Sequence, residues 1–197
     1  CAVPAPSAVV PSDETVERMA QALNSAKKVA IFAGIGVAGA HDEVIALADT
    51  LKAPVGHSLR GKDFVQYDNP FDVGMTGLLG YGAAAEGLHD ADVMVMLGTD
   101  FPYDQFLPDV TTIQVDTDPT VIGRRTGVDI PVHGDVKSTI LKLLPELTVK
   151  SDRSFLDKTL AKHDKLMNKA VGAYTRKVEK ITPIHPEYAA SILDQVA

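Results

Sequence analysis

The sequence predicts a doubly wound α/β fold, with a parallel sheet of five or six strands flanked by helices. Three observations carry this. Short apolar runs rich in Val, Ile and Met alternate with amphipathic helical segments, the signature of βαβ units. The runs are apolar at consecutive positions, as strands covered on both faces must be. The first run, Lys28-Val-Ala-Ile-Phe-Ala, passes directly into Gly34-Ile35-Gly36-Val37-Ala38-Gly39, a G-x-G-x-x-G turn.

In order, residues 1–11 hold three prolines and no helical or strand period, and read as an extended linker. Ser12 is a good N-cap, with Asp13 and Glu14 where a helix dipole favours acids. Val16, Met19, Ala20 and Leu23 then mark one apolar helix face. After the glycine turn, Val44, Ile45, Leu47, Ala48 and Leu51 give a second helix, and Pro54–Ser58 a short second strand. Leu59 to Gly80, rich in Gly, Asp, Asn and Pro, reads as a long irregular stretch of the kind that carries function. Ala83 to Leu88 reads as helix, Val93–Leu97 as a buried strand ending at Gly98, and Thr112–Val115 as a strand closed by Asp116. Ile130-Pro131-Val132 reads as an edge strand, because proline cannot donate to a ladder. Gly134-Asp135 caps a helix from Val136 to Leu144. Residues 151–180 are polar and Lys-rich and read as a solvated connecting helix. Ile184-His185-Pro186 opens a last apolar helix, Tyr188–Val196, expected to pack on a domain outside this chain. The domain reading is therefore 1–11 linker, 12–150 central domain, 151–183 helical connector, and 184–197 the start of a following domain. The chain does not begin with Met, so a piece of a longer polypeptide is expected.

Composition narrows the function. With 197 residues there is room for one sizeable core, and 45% hydrophobic against 23% charged residues is ordinary for a globular protein. A net charge of −7 without a basic stripe argues against nucleic acid as a partner. A single cysteine, Cys1, can form neither an internal disulfide nor a thiolate metal cage, and fits a reducing cytosolic setting. The six histidines lack ligand spacing, so no metal site is expected, and no catalytic constellation stands out.

In open parallel sheets, ligands bind beyond the carboxyl ends of the strands. Gly34, Ser58, Gly98 and Asp116 all close predicted strands on that rim. The glycine turn either presents free N–H groups to a phosphate or merely permits tight packing. An NAD domain needs an acid after the second strand; His57-Ser58-Leu59-Arg60 has none. Asp116 and Asp135 come later, the latter equally suited to capping a helix. Arg60 and Lys62 lie beside the turn, where a guanidinium can grip a diphosphate or pair with Asp63 or Asp68. Gly74-Met75-Thr76-Gly77-Leu78 and Gly98-Thr99-Asp100-Phe101-Pro102 combine small residues, a hydroxyl and an apolar side chain in apparent loops. Such loops let a flat ligand approach the backbone.

The run from His57 to Gly80 resembles the central domain of thiamine-diphosphate-dependent pyruvate oxidases. So do Leu97–Tyr103, Gln114–Pro119 and Val132–Lys137. Within that family it is most similar to the bacterial pyruvate:quinone oxidoreductases. The resemblance covers residues 12–150 and continues more weakly to Tyr188. It implies a Rossmann-like, FAD-binding central domain, with Gly34 and Gly36 bordering the diphosphate and Ser58, Leu59 and Arg60 beside it. Met75, Thr76, Gly77 and Leu78, with Gly98, Thr99, Asp100, Phe101 and Pro102, would line the riboflavin part. Asp116, Asp135 and Val136 would lie near the adenosine. It further implies a parent enzyme that converts pyruvate to acetate and CO2 on thiamine diphosphate with Mg2+, held by other domains of the same protein. Electrons would pass through FAD to a membrane quinone, in a homotetramer that is cytoplasmic and peripheral at the inner face of the cell membrane. The chain alone is expected to be inactive. Asp100 and Asp104 make the flavin-facing loop unusually acidic for the family. The alternatives are a non-catalytic packing domain of a related decarboxylase or acetolactate-synthase-like enzyme, and an NAD-linked dehydrogenase domain.

Overall fold

The alternation of short apolar runs with amphipathic segments resolves into one seven-stranded sheet in the computed structural model, which describes residues 8–178 and 180–196. Cys1, the rest of 1–7, Glu179 and Ala197 lie outside the described residues. The strands are β1 (Val29–Ala33), β2 (Val55–His57), β3 (Asp72–Met75), β4 (Tyr81–Gly82), β5 (Val93–Leu97), β6 (Thr111–Asp116) and β7 (Ile130–His133). Their order is β4-β3-β2-β1-β5-β6-β7. All neighbours pair in parallel except β3 and β4, which are antiparallel. Six parallel strands match the upper bound of the sequence reading, and the two-residue β4 is an addition.

Period-2 geometry divides the central strands between two cores. Val29, Ile31 and Ala33 of β1, with Val93, Val95 and Leu97 of β5, face one apolar cluster. Ala30, Phe32, Met94 and Met96 face the other. Helices α1 (Asp13–Ser25), α2 (His41–Leu51) and α5 (Val136–Leu143) cover the first face. The short α3 (Lys62–Val65) adds Val65 to that core. On the second face lie α4 (Ala84–His89) and α6 (Ser154–Leu166), with Leu88 in the core and Phe155 packed on it. Ser12 caps α1 by accepting the Thr15 N–H, as the sequence indicates.

Three expectations change. The stretch from Leu59 to Gly80 is not irregular throughout, because it folds into α3 and β3. Met75 therefore ends a strand and is 6% exposed, rather than sitting in a loop. The 151–180 region is not a uniformly solvated helix. In α6, Leu156 is fully buried and Thr159 nearly so, and the helix then passes through a π turn at Met167–Val171 into α7 (Gly172–Thr175). The last helix, α8, spans Pro186–Val196 and buries none of its residues in this chain. Pro131 does lie in an edge strand.

Candidate functional site

Parallel strands deliver their carboxyl ends to one rim. There the segments after β1, β2, β3, β5 and β6 enclose a cavity of about 500 Å³, within the usual range for small-molecule sites. Ser58, Leu59 and Arg60 follow β2; Met75, Thr76, Gly77 and Leu78 end and follow β3. Gly98, Thr99, Asp100, Phe101 and Pro102 follow β5, and Asp116 ends β6; all line the cavity. Of the residues singled out from the sequence, Gly34, Gly36, Lys62, Asp135 and Val136 do not line it; Lys62 instead stands over the Tyr67 ring, 5.9 Å from its centroid.

The glycine bend has another task. Gly34 N–H donates to Leu97 C=O at 2.9 Å and Gly36 N–H to Gly98 C=O at 3.0 Å. Neither is free for a phosphate, and Ile35–Val37 form a 3-10 turn well short of α2 at His41. A Cβ on Gly34 would sit 2.4 Å from Gly98 O, and one on Gly36 2.6 Å from Gly98 Cα. The bend closes a seam between the ends of β1 and β5, and only Ile35 reaches the cavity. Tight packing, the plainer of the two readings, is what these glycines serve. Asp135 likewise caps α5, its carboxylate accepting the Ser138 N–H at 2.8 Å while its own N–H donates to Val9 C=O. Val136, the first residue of α5, is buried in the core.

The floor is apolar. Phe101, 4% exposed, packs edge-on against Phe32 with centroids 5.0 Å apart, and Tyr103 meets it at 5.4 Å. Gly77, at φ +107°, passes so close over Phe101 that a Cβ there would lie 3.1 Å from the ring. Leu59, Leu78 and Leu79 are exposed at the mouth. Thr76 is 3% exposed, and its Oγ1 has no hydrogen-bond partner. Arg60 is exposed and forms no ion pair with Asp63, Asp68 or any other described residue.

Sequence reasoning named Asp116 and the stretch to Pro119 but passed over the rest of the loop after β6. Gln114, buried within β6, donates to Thr99 C=O at 3.2 Å and Val121 C=O at 3.4 Å, and accepts the Gly123 N–H at 2.9 Å. Outside it, Arg124 and Arg125 both grip Asp100 through Nε and Nη2. The Arg124 hydrogen bond foremost, helped by Arg125, holds the Asp100 carboxyl below its usual range despite the opposing effect of burial. Asp100 is thus compensated, which offsets part of the acidity expected of this loop; Asp104 makes no ion pair with any described residue. Asp116, Asp118 and Val121 complete the wall. An adjacent arginine pair was visible in the sequence; its partner, 24 residues earlier, was not.

Beneath the β2–β3 end lies a buried polar group. Burial lowers the His57 pKa to about 4, with smaller effects of neighbouring groups. Burial raises that of Asp72 to about 6. His57 Nε2 stands 3.5 Å from Asp72 Oδ1. Among the described residues, no three His, Cys, Asp or Glu side chains gather in a metal-binding arrangement, and no helix is long and apolar enough to cross a membrane.

The cavity lies at the strand carboxyl ends, where open α/β sheets bind their ligands. Residues 16–143 match the sequence profile of the thiamine pyrophosphate enzyme, central domain, and the chain belongs to that family. It is 47% identical over 161 residues to an uncharacterized 42.6 kDa protein of Pseudomonas amyloderamosa, covering 81% of this chain and 41% of that protein. It is 30% identical over 150 residues to acetolactate synthase isozyme 3 large subunit of Escherichia coli (strain K12), covering 72% of this chain and 26% of that subunit. The crystal structure of benzoylformate decarboxylase from Polynucleobacter necessarius superposes with a TM-score of 0.74 at 20% identity, over 100% of this chain and 36% of that one. That likeness shows the fold. The chain spans less than half the length of these proteins.

Proposed function

We propose that this chain is the FAD-holding central domain of a thiamine-pyrophosphate enzyme, and that the rim cavity is the flavin seat. One observation carries the reading. The residues which the pyruvate-oxidase resemblance assigns to the riboflavin part of FAD all line the cavity. The lining suits such a group: an apolar floor of Met75 and Phe101, backbone exposed at Gly77, and a buried Thr76 hydroxyl lacking a partner. FAD would supply reversible electron transfer there; the chain supplies position and electrostatics. Arg60, exposed at the cavity edge and without an ion-pair partner among the described residues, would neutralise phosphate there, over the apolar Phe101–Phe32 pair.

For the whole protein, the finer reading is oxidation of pyruvate to acetate and CO2 on thiamine diphosphate and Mg2+ held by its other domains. Electrons would reach a membrane quinone, in a homotetramer peripheral to the inner face of the cell membrane. The E. coli relative named acetolactate synthase favours an acetolactate-forming parent instead. A packing domain without flavin is the second reading, favoured by the spent N–H groups of Gly34 and Gly36.

Unfolding the full-length protein and recording the spectrum of the supernatant separates these. Flavin bands support the proposal, a colourless supernatant supports the packing domain, and nicotinamide absorbance supports a dehydrogenase. With flavin present, bleaching by pyruvate and recovery with a quinone supports the oxidase, and acetolactate formation supports the synthase. Arg60→Ala should weaken FAD binding by about 1–2 kcal/mol, the lower part of the range for charge-assisted contacts because the side chain is exposed.

A further inference from the structure

We propose that Arg124 and Arg125 mask the charge of the cavity wall and so give it a preference for a phosphate-bearing flavin over the same ring system without phosphate. The inference rests on the flavin reading above and adds which residues set that preference. Asp100, Asp116 and Asp118 all line the cavity on its β5–β6 side. Three uncompensated carboxylates would repel an anionic ligand. The two arginines change that balance: Arg125 Nε donates to Asp100 Oδ1 at 3.0 Å, Arg124 Nε to the same oxygen at 3.2 Å, and both Nη2 groups reach Oδ2. Asp116 and Asp118 turn their carboxylates into their own loop. Asp116 Oδ1 accepts the Asp118 N–H at 3.0 Å, and Asp118 Oδ1 accepts the Thr120 N–H and hydroxyl at 2.9 and 2.7 Å. Arg60 contributes its cation from the opposite side.

A purely structural role for the arginines is the weaker account. Gln114 already ties the 99 segment to the 121–123 segment from inside the core. The ion cluster outside it is partly solvated, with side chains 27% (Asp100), 34% (Arg125) and 48% (Arg124) exposed. Pairs that open to water add little to stability. Their field still reaches a ligand in the cavity, because it lies within a Debye length.

The test uses the full-length protein stripped of flavin, titrated with FAD and with riboflavin at about 20 mM and about 300 mM salt. Arg124→Gln/Arg125→Gln should weaken FAD about three- to tenfold at low salt and leave riboflavin within about twofold, with the loss shrinking at high salt. Adding Asp100→Asn to that pair should restore most of the FAD affinity, because the unmasked carboxylate is then gone. Equal weakening of both flavins, absence of rescue by Asp100→Asn, or unchanged FAD binding each overturns the inference. A wild type that binds neither flavin overturns the flavin reading and this inference with it.

Discussion

The two ends of the rim are built differently. At the β5–β6 end, polar groups are committed: Gln114 makes three hydrogen bonds into the loops, and the Asp100 carboxylate receives four from two guanidiniums. At the β2–β3 end, Thr76 Oγ1 and His57 Nε2 are buried without a hydrogen-bond partner. Unmet polar atoms are rare in folded interiors, and each carries a desolvation penalty. One wall is preset; the other holds unspent hydrogen-bonding capacity, at the cavity lining for Thr76 and beneath it, facing Asp72, for His57. A ligand group that hydrogen-bonds the Thr76 hydroxyl would offset that penalty.

The seam between the walls should show the largest effect when disturbed. A Cβ on Gly98, which sits at φ +58°, would meet Gly36 Cα at 2.3 Å, so Gly98→Ala should lose about 3–4 kcal/mol in urea unfolding. Gly127, with nothing within 4 Å, is the control and should change by less than about 0.5 kcal/mol as Gly127→Ala. Equal losses at both positions would remove the seam from the account.

Within the uncommitted end, two buried groups should also separate by pH. His57 is held neutral, its pKa lowered to about 4 by burial, so its contribution is present above about 6.5 and lost as pH falls toward 4. Asp72, raised to about 6 by burial, acts oppositely: its contribution is present below about 3.8 and lost as pH rises through 6. The two slopes oppose each other between pH 4 and 6. Asp72→Asn should expose the His57 slope, roughly 2–3 kcal/mol of stability lost on acidification, and His57→Gln should expose the reverse slope. Unfolding midpoints across pH 4–7 read both; a flat profile in Asp72→Asn would contradict the assignment.

Within the preset wall, Gln114→Leu strands two carbonyls and the Gly123 N–H, and should lose about 2 kcal/mol with faster amide exchange in residues 120–125. The smallest change is expected opposite. Thr76→Val removes a buried hydroxyl with no partner, so the flavin-free protein should gain about 0.5–1 kcal/mol while flavin affinity falls. A loss of stability on that substitution would mean that the hydroxyl is satisfied after all.

These contrasts also mark what the sequence could reveal. Strands buried on both faces, such as Val29–Ala33 and Val93–Leu97, announce themselves as continuous apolar runs, and the rim follows from their common direction. β3 was hidden because Asp72-Val73-Gly74-Met75 is short, contains a glycine at φ +89°, and pairs with β2 through a register shift. The cavity-lining stretches Ser58–Arg60, Met75–Leu78 and Gly98–Pro102 were legible because each follows or ends a recognisable apolar run or glycine turn. The role of Gly34 and Gly36 was not, because what fixes it is Gly98, far along the chain. The Asp100–Arg124–Arg125 cluster was invisible for the same reason: local spacing does not report which loops meet over a sheet.

Both margins of the sheet are blunted. On one side β4 supplies only two residues, and Gly82 within it lies against His163 of α6. On the other, β7 carries Pro131, and Val9 C=O takes the Asp135 N–H immediately beyond the strand, with Pro11 packed on Gly134. An unprotected border of a largely apolar sheet would template pairing with another copy, the route to fibrous deposits. Replacing Pro11, which lies against Gly134 just past β7, is therefore expected to raise self-association, read as a rise in light scattering on prolonged incubation.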